Sequence, residues 1–543
     1  MAQAKEAWSS RFGVILAVAG SAVGLGNFLR FPGLAAQYGG GAFMIAYFLS
    51  LLLIGLPLGW VEWTLGREGG RRGYHSTSGI FHALMGKPWA KYLGVIGFFT
   101  PVVIYMYYVY VEAWCLGYAL NALTGGLSEP GMNYGAFFTR FTGAQADGVA
   151  LHFGLQDVGI FVLIVYVLNF FFIYRGISKG IEAVCTYAMP ALILIAVIIL
   201  VRVLTLGTPD ASKPDQSVIN GLGYLWNPGD VLTGLKNPEL WLAAAGQIFF
   251  SLSVGFGVII TYASYLKTKD DVVLSGLTAS AANEFCEVGL GGLITVPAAF
   301  IFLGTAGVAG QGTFALGFNV LPEVFVRMPG GQVFATIFFI LLFLAAITSS
   351  LSMLQPGIAF LEEGLGLGRK ASVALLGFVT GIGTLFVWYF SKDLKAMDTI
   401  DFWVGTLMLF IQATILVIIF GWNVGIERGW KLMHEGAEMR APTIYKSILK
   451  YVTPLFLIGI FVMWLLKNVA GWNFSFSQPV FAPSGYVVDL IGSQPSPVAR
   501  LGIALVVIIT AFALVLTHLA GKRWEAAAAR SHPSHAPKGK VTP

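Results

Sequence analysis

Ala22-Val23-Gly24-Leu25-Gly26 returns far along the chain as Ser253-Val254-Gly255-Phe256-Gly257: a small residue, Val, Gly, a large apolar residue, Gly. Each copy lies inside a long apolar run, where glycine costs about 1 kcal/mol relative to alanine in a helix interior. Two clustered pairs at matching places therefore read as helices that break partway along their length. Close helix packing explains either cluster alone; the match between them favours the break.

The runs around this echo set the fold class. Of 543 residues, 56% are hydrophobic and 11% charged, against about 25% charged in ordinary soluble domains, and apolar stretches of bilayer length recur. The expected spans are 12–36, 41–65, 90–123, 158–175, 183–204, 239–266, 273–303, 332–360, 371–390, 400–424, 450–469 and 498–519. Without alternating polar positions they are helices and not barrel strands. The chain is thus expected to be all-α integral membrane, with about twelve transmembrane helices. The echo falls in spans one and six, and an offset of five spans inverts the second copy relative to the first. That is the five-plus-five inverted-repeat plan, in which Gly-interrupted spans mark the binding site. The expected units are 1–204, the first repeat; 205–425, the second; 426–520, peripheral spans eleven and twelve; and 521–543, a disordered tail.

Basic residues collect in alternate short loops: Arg67, Arg71, Arg72 and Lys87; Arg175 and Lys179; Lys267 and Lys269; Arg369 and Lys370; Arg428, Lys431, Arg440, Lys446 and Lys450. This bias expects both termini on the cytoplasmic side of a cell (inner) membrane, and it accounts for the net charge of +6 without a nucleic-acid partner. Lys5, Arg11 and Ala17-Val18-Ala19 imitate a secretory signal, but the apolar run continues past that point. Cys115, Cys185 and Cys286 lie in apolar runs and read as packing residues. His532 and His535 fall in the tail, and Gly364 to Lys370 reads as a turn, since no strand precedes it. No HExxH or Gly-x-Ser-x-Gly is present, so an enzyme is not expected.

A broken helix in lipid exposes amides and carbonyls that ligands or water must satisfy. Anionic groups suit the amide ends and cations the carbonyls, so a zwitterionic amino acid answers both. Its carboxylate would face the amides near Leu25 and Gly26, and its ammonium the carbonyls of Ala22, Phe250 and Ser251. A hard cation prefers oxygen, and Asn27, Ser251, Asn283, Thr348 and Ser349 supply side-chain oxygens within the spans.

From Trp8 to Phe43 the segment WSSRFGVILAVAGSAVGLGNFLRFPGLAAQYGGGAF resembles the opening of the neurotransmitter:sodium symporter family, in its bacterial, leucine-transporter-like amino-acid branch. The likeness continues in Tyr107-Tyr108-Val109-Tyr110, Gln247 to Ser253, Ala263-Ser264-Tyr265, Thr348-Ser349-Ser350 and Gln355-Pro356. It implies two sodium ions: one at Ala22, Asn27, Ser251 and Asn283 with the substrate carboxylate, the other at Gly20, Val23, Ala345, Thr348 and Ser349. It implies a substrate pocket of Ser21, Ala22, Leu25, Gly26, Ile104, Tyr108, Phe250, Ser251, Ser253, Phe256, Ser349 and Met353. Gly24 stands where amine-carrying relatives place an aspartate, so a neutral, aliphatic or small amino acid is the implied substrate.

The same resemblance implies an outer gate of Arg30 and Asp401, paired directly or through water, and a cytoplasmic gate of Lys5 and Glu363 with Trp8 and Tyr265. At that second gate the family more often has Arg and Asp, and lysine lacks the bidentate fork. Glu287 occupies the position of a serine in chloride-dependent relatives, which implies chloride independence and a carboxylate able to take a proton. Gly180 and Pro190 resemble the motif at which span five unwinds. Glu62 and Glu112 read as a hydrogen-bonded structural pair. The implied activity is sodium-coupled import by alternating access; the alternative is a non-transporting amino-acid sensor on the same fold.

Overall fold

Each expected apolar run is helical in the computed structural model, which describes residues 7–129, 131–227, 230–308, 312–475 and 478–531. Nine helices among these are long and apolar enough to cross a membrane: Gly41–Arg71, Ala90–Leu123, Ile177–Leu204, Val272–Gly304, Gly331–Leu365, Arg369–Tyr389, Lys392–Met433, Ile444–Asn468 and Pro497–Ala527. Span one is a bent pair, Arg11–Ala22 and Gly26–Gln37, angled by 47°. Span four is the shorter Val158–Tyr174, and span six is Pro238–Leu252 followed by Val258–Ala263. No strand occurs among the described residues, only an isolated bridge between Trp472 and Phe481.

Burial sorts the spans. Spans three and eight pack along each other and are enclosed over most of their length. Spans five, eleven and twelve turn Leu194, Val201, Leu455 and Val507 outward, as a lipid-facing wall requires. Spans one and six run through the middle, beside three and eight.

The two breaks have different causes, although the sequence makes them look alike. In span six, Ser253, Gly255 and Gly257 take φ of +53°, +78° and +80°, a left-handed region that glycine enters at little cost. A Cβ on Gly257 would lie 1.8 Å from the Gly97 carbonyl oxygen of span three. In span one the chain turns at Val23 through extended backbone, φ −75° and ψ 94°. Gly24 serves space there: its Cβ would meet Ser349 Oγ at 3.0 Å and the Tyr108 hydroxyl at 3.4 Å.

The last helix corrects the expected tail, because it continues to Ser531 and takes in residues 521–531. Lys91 Nζ pairs with Glu525 at 3.3 Å, Trp524 stacks on His82, and the run Ala526 to Ala529 favours helix. His532 and His535 lie outside the described residues.

Candidate functional site

A cavity of about 200 Å³ lies beside both breaks, lined by Ser21, Ala22, Leu25, Gly26, Ile104, Tyr108, Phe250, Ser253, Phe256, Ser349 and Met353. Ser251, expected among them, is turned away from the cavity: it donates to Glu287 and accepts from Asn283 Nδ2 at 2.6 Å. The cavity is polar in two senses. At the Tyr108 end the phenol, a donor, stands against the Leu25 amide and Ser349. Toward Ser21, Ser253 Oγ donates to the Ser21 carbonyl at 2.9 Å, and Ser349 Oγ, beside the phenol, lies 3.1 Å from the Ala345 carbonyl and 3.2 Å from that of Ser21. With those protons committed to the backbone, the lone pairs of these hydroxyls remain as acceptors.

Behind the cavity the breaks supply oxygens. Asn27, fully buried, accepts the Gly24 N–H at Oδ1, 2.8 Å; in an unbroken helix that proton would go to the Gly20 carbonyl. Its Nδ2 donates to Asn283 Oδ1 at 2.8 Å and to Glu287 Oε2 at 3.0 Å. The same atom of Asn283 stands 3.0 Å from the Ser251 carbonyl oxygen and 3.2 Å from that of Ala22. Facing them with its oxygen, the carboxamide completes an all-oxygen set suited to a hard cation; facing them with its nitrogen, it donates to both. Ala22, Asn27, Ser251 and Asn283 are thus brought together.

Of the second expected set, Gly20 and Thr348 face each other between spans one and eight. Thr348 Oγ1 donates toward the Leu344 and Ala345 carbonyls, each at 3.1 Å, and a Cβ on Gly20 would be 3.4 Å from Thr348 Cβ. Val23 is buried at the turn just beyond. No cluster of three His, Cys, Asp or Glu that would hold a metal occurs among the described residues.

Glu287 gathers three donors from spans one and six: Asn27 Nδ2, Gln247 Nε2 at 2.8 Å, and Ser251 Oγ. Sequence reasoning gave Gln247 no role; it also accepts from Arg30 at 3.2 Å. Arg30 leans its guanidinium over Phe250, 4.4 Å from the ring centroid, while Asp401 accepts from the Tyr107 hydroxyl at 2.5 Å. Of the expected pairing, direct or through water, the direct form is not made, and Arg30 and Asp401 both line one continuous cavity with Asp398, Met397, Thr313 and Phe314. Asp398 was missed, although its place three residues before Asp401 puts both on one helix face.

The other end is closed. Trp8 donates its indole N–H to the Tyr262 carbonyl at 3.0 Å, and Tyr265 stacks on His75 at 4.3 Å. Glu363 accepts the His75 and Ser76 amides at 2.5 and 2.7 Å, capping the helix Thr77–Met85. Lys5, its expected partner, lies outside the described residues. Glu182, which the sequence did not single out, accepts from Ser9 N–H at 2.9 Å and Ser10 Oγ at 3.4 Å. It ties the start of span one to the first turn of span five. Gly180 lies in that wide first turn, Ile177–Glu182, and Ala183–Leu204 is continuous helix through Pro190.

Glu62 and Glu112 are not a pair. Glu62, on span two, accepts the Gly255 amide at 3.2 Å and so holds the break of span six. Glu112, on span three, accepts from Asn169 at 2.9 Å and Ser350 at 2.5 Å. Each neutralises polar groups of a different neighbour, which their sequence positions did not disclose.

Residues 5–132 and 147–491 match the model of the sodium:neurotransmitter symporter family. An uncharacterised sodium-dependent transporter of Methanocaldococcus jannaschii is 28% identical, over 84% of this chain and 89% of its own. The sodium-dependent dopamine transporter of Bos taurus is 27% identical, over 85% and 69% respectively. The crystal structure of MhsT in complex with L-phenylalanine superposes with a TM-score of 0.72 at 27% identity, covering 84% of this chain and 99% of that one. With the matched segments spanning most of the sequence, and the two broken spans five apart, this chain belongs to the sodium:neurotransmitter symporter family.

Proposed function

We propose that the chain imports a neutral, aliphatic or small amino acid by alternating access, coupled to two sodium ions and independent of chloride. The observation that carries this reading is the polarity of the cavity. Donors at Tyr108 and the Leu25 amide share the cavity with the hydroxyl acceptors of Ser253 and Ser349, which suits a carboxylate and an ammonium on one small molecule. An amine without a carboxylate needs an acid in its place, and Gly24 offers none. MhsT, with bound L-phenylalanine, supports the amino-acid class.

The first ion's oxygens, at Ala22, Asn27, Ser251 and Asn283, adjoin the carboxylate end, so ion and substrate stabilise each other. The second, at Gly20, Val23, Ala345, Thr348 and Ser349, ties span one to span eight. In the proposed cycle, units 1–204 and 205–425 act as the inverted repeats, with both termini cytoplasmic in the inner membrane. The cavity running past an unpaired Arg30 and Asp401, over a closed Trp8 end, fits a state open outward. Inward release would follow when Glu182 lets go of Ser9 and Ser10 and span five opens at Gly180 and Pro190. The test is uptake of labelled neutral amino acids into proteoliposomes with and without an inward sodium gradient. Gradient-driven accumulation is expected; sodium-dependent binding without accumulation would mean a sensor.

A further inference from the structure

The segment joining spans ten and eleven carries positive charge that the protein leaves unanswered. After Gly425, at φ +85°, the chain forms a short helix, Ile426–Met433, that buries Ile426, Gly429 and Met433 and turns Glu427, Arg428 and Lys431 outward. The segment's own carboxylates are all engaged with cations: Glu427 with Lys446 at 2.7 Å, Glu435 with Arg71 at 2.8 Å, and Glu438 with Arg11 at 2.8 Å. Arg428, Lys431 and Arg440 have no ion-pair partner among the described residues, and all three are exposed on the rim of one open depression of about 850 Å³.

Its wall is fixed. The His434 ring packs at a tilt against Trp430, centroids 4.5 Å apart, donates from Nδ1 to the Trp430 carbonyl at 2.9 Å and accepts the Ala441 amide at Nε2, 3.1 Å. Beside it the outward surface becomes amphipathic and aromatic. Trp422 and Tyr451 are exposed and in edge contact, Ile444 is exposed, and Lys446 stands 5.8 Å from the Trp430 ring centroid. Tryptophan and tyrosine of this kind mark the level of lipid headgroups, and clustered Lys and Arg next to a span attract anionic lipid.

We propose that this depression binds the headgroup phosphate of an anionic phospholipid, held by Arg428, Lys431 and Arg440, with the acyl chains lying along Ile444 and Tyr451. The free-phosphate alternative lacks a use for the exposed aromatic border. The assignment is independent of the transported substrate.

The test is native mass spectrometry of the full chain in a neutral detergent, titrated with phosphatidylglycerol, with phosphatidylcholine of equal chain length, and with inorganic phosphate as competitor. Each charge is worth about fivefold in affinity near an anionic surface, so R428Q/K431Q/R440Q should bind phosphatidylglycerol about a hundredfold more weakly. A charge-matched control, K213Q/K236Q/K392Q, on exposed residues of other loops, should bind as the unmodified protein does. Equal loss in both triple variants, equal binding of phosphatidylcholine, or displacement of the lipid by equimolar inorganic phosphate would each overturn the proposal.

Discussion

Replacing Glu287 by serine removes the one carboxylate on which Asn27, Gln247 and Ser251 converge. Asn27 is also the proposed ligand of the first sodium, so the lost charge lies about one residue's reach from the ion. At an effective dielectric of about 20, a unit charge about 5 Å away is worth about 3 kcal/mol, roughly a hundredfold in affinity. The substitution also strands donors, at about 1–3 kcal/mol for each that finds no water. In chloride-free gluconate, half-maximal sodium activation of Glu287→Ser uptake should therefore move up by about a hundredfold. The stranded donors then frame a space suited to a small anion, and chloride should restore most of the loss. Glu287→Gln fills that space without charge, so it should lose sodium affinity and gain nothing from chloride. Uptake assays in proteoliposomes across sodium concentrations, in gluconate and in chloride, read all three proteins. Unchanged sodium activation in Glu287→Ser, or equal chloride rescue of Ser and Gln variants, would refute the electrostatic reasoning, as would chloride stimulation of the unmodified protein.

Three further predictions concern the break of span six, the second proposed sodium set and the hold of Glu182 on the start of span one. Gly257→Ala should abolish the monodisperse folded protein on size-exclusion chromatography, since a left-handed φ costs about 1–2 kcal/mol in a residue with a Cβ and the methyl would overlap the Gly97 carbonyl; Gly459→Ala, with open space around it, should elute normally. Thr348→Val keeps the side chain's shape but deletes a proposed sodium oxygen, and should weaken sodium activation about tenfold, as expected for the loss of about 1.4 kcal/mol, while the melting temperature without sodium stays put. Glu182→Gln, in a Cys115→Ala, Cys286→Ala background, should speed maleimide labelling of Cys185, whose sulfur lies 3.2 Å from where a Cβ on Gly20 would sit. Labelling as slow as with Glu182 intact would remove Glu182 from the opening step.

The apolar runs, their number and the existence of two breaks were legible in the sequence, because lipid demands about 20 apolar residues per helix and glycine pairs are costly within one. Pattern and resemblance also named most of the cavity wall, from Ser21 to Met353. What they missed was relational. Asp398 and Phe314 belong to the cavity only because their backbones are folded against Arg30 and Asp401, and Gln247 matters because it reaches both Arg30 and Glu287. Glu62 and Glu112, two similar acids in the sequence, are divided by the packing between the Gly255 amide and the pair Asn169 and Ser350. The matching glycines tell the same story. Sequence located both breaks, but only tertiary structure decided that Gly257 answers to backbone conformation and a carbonyl contact while Gly24 answers to Ser349 and Tyr108. Hydrophobic period is a local property that one strand of sequence carries, whereas the partner of a buried polar group is chosen by whichever distant segment the packed fold brings within about 3 Å.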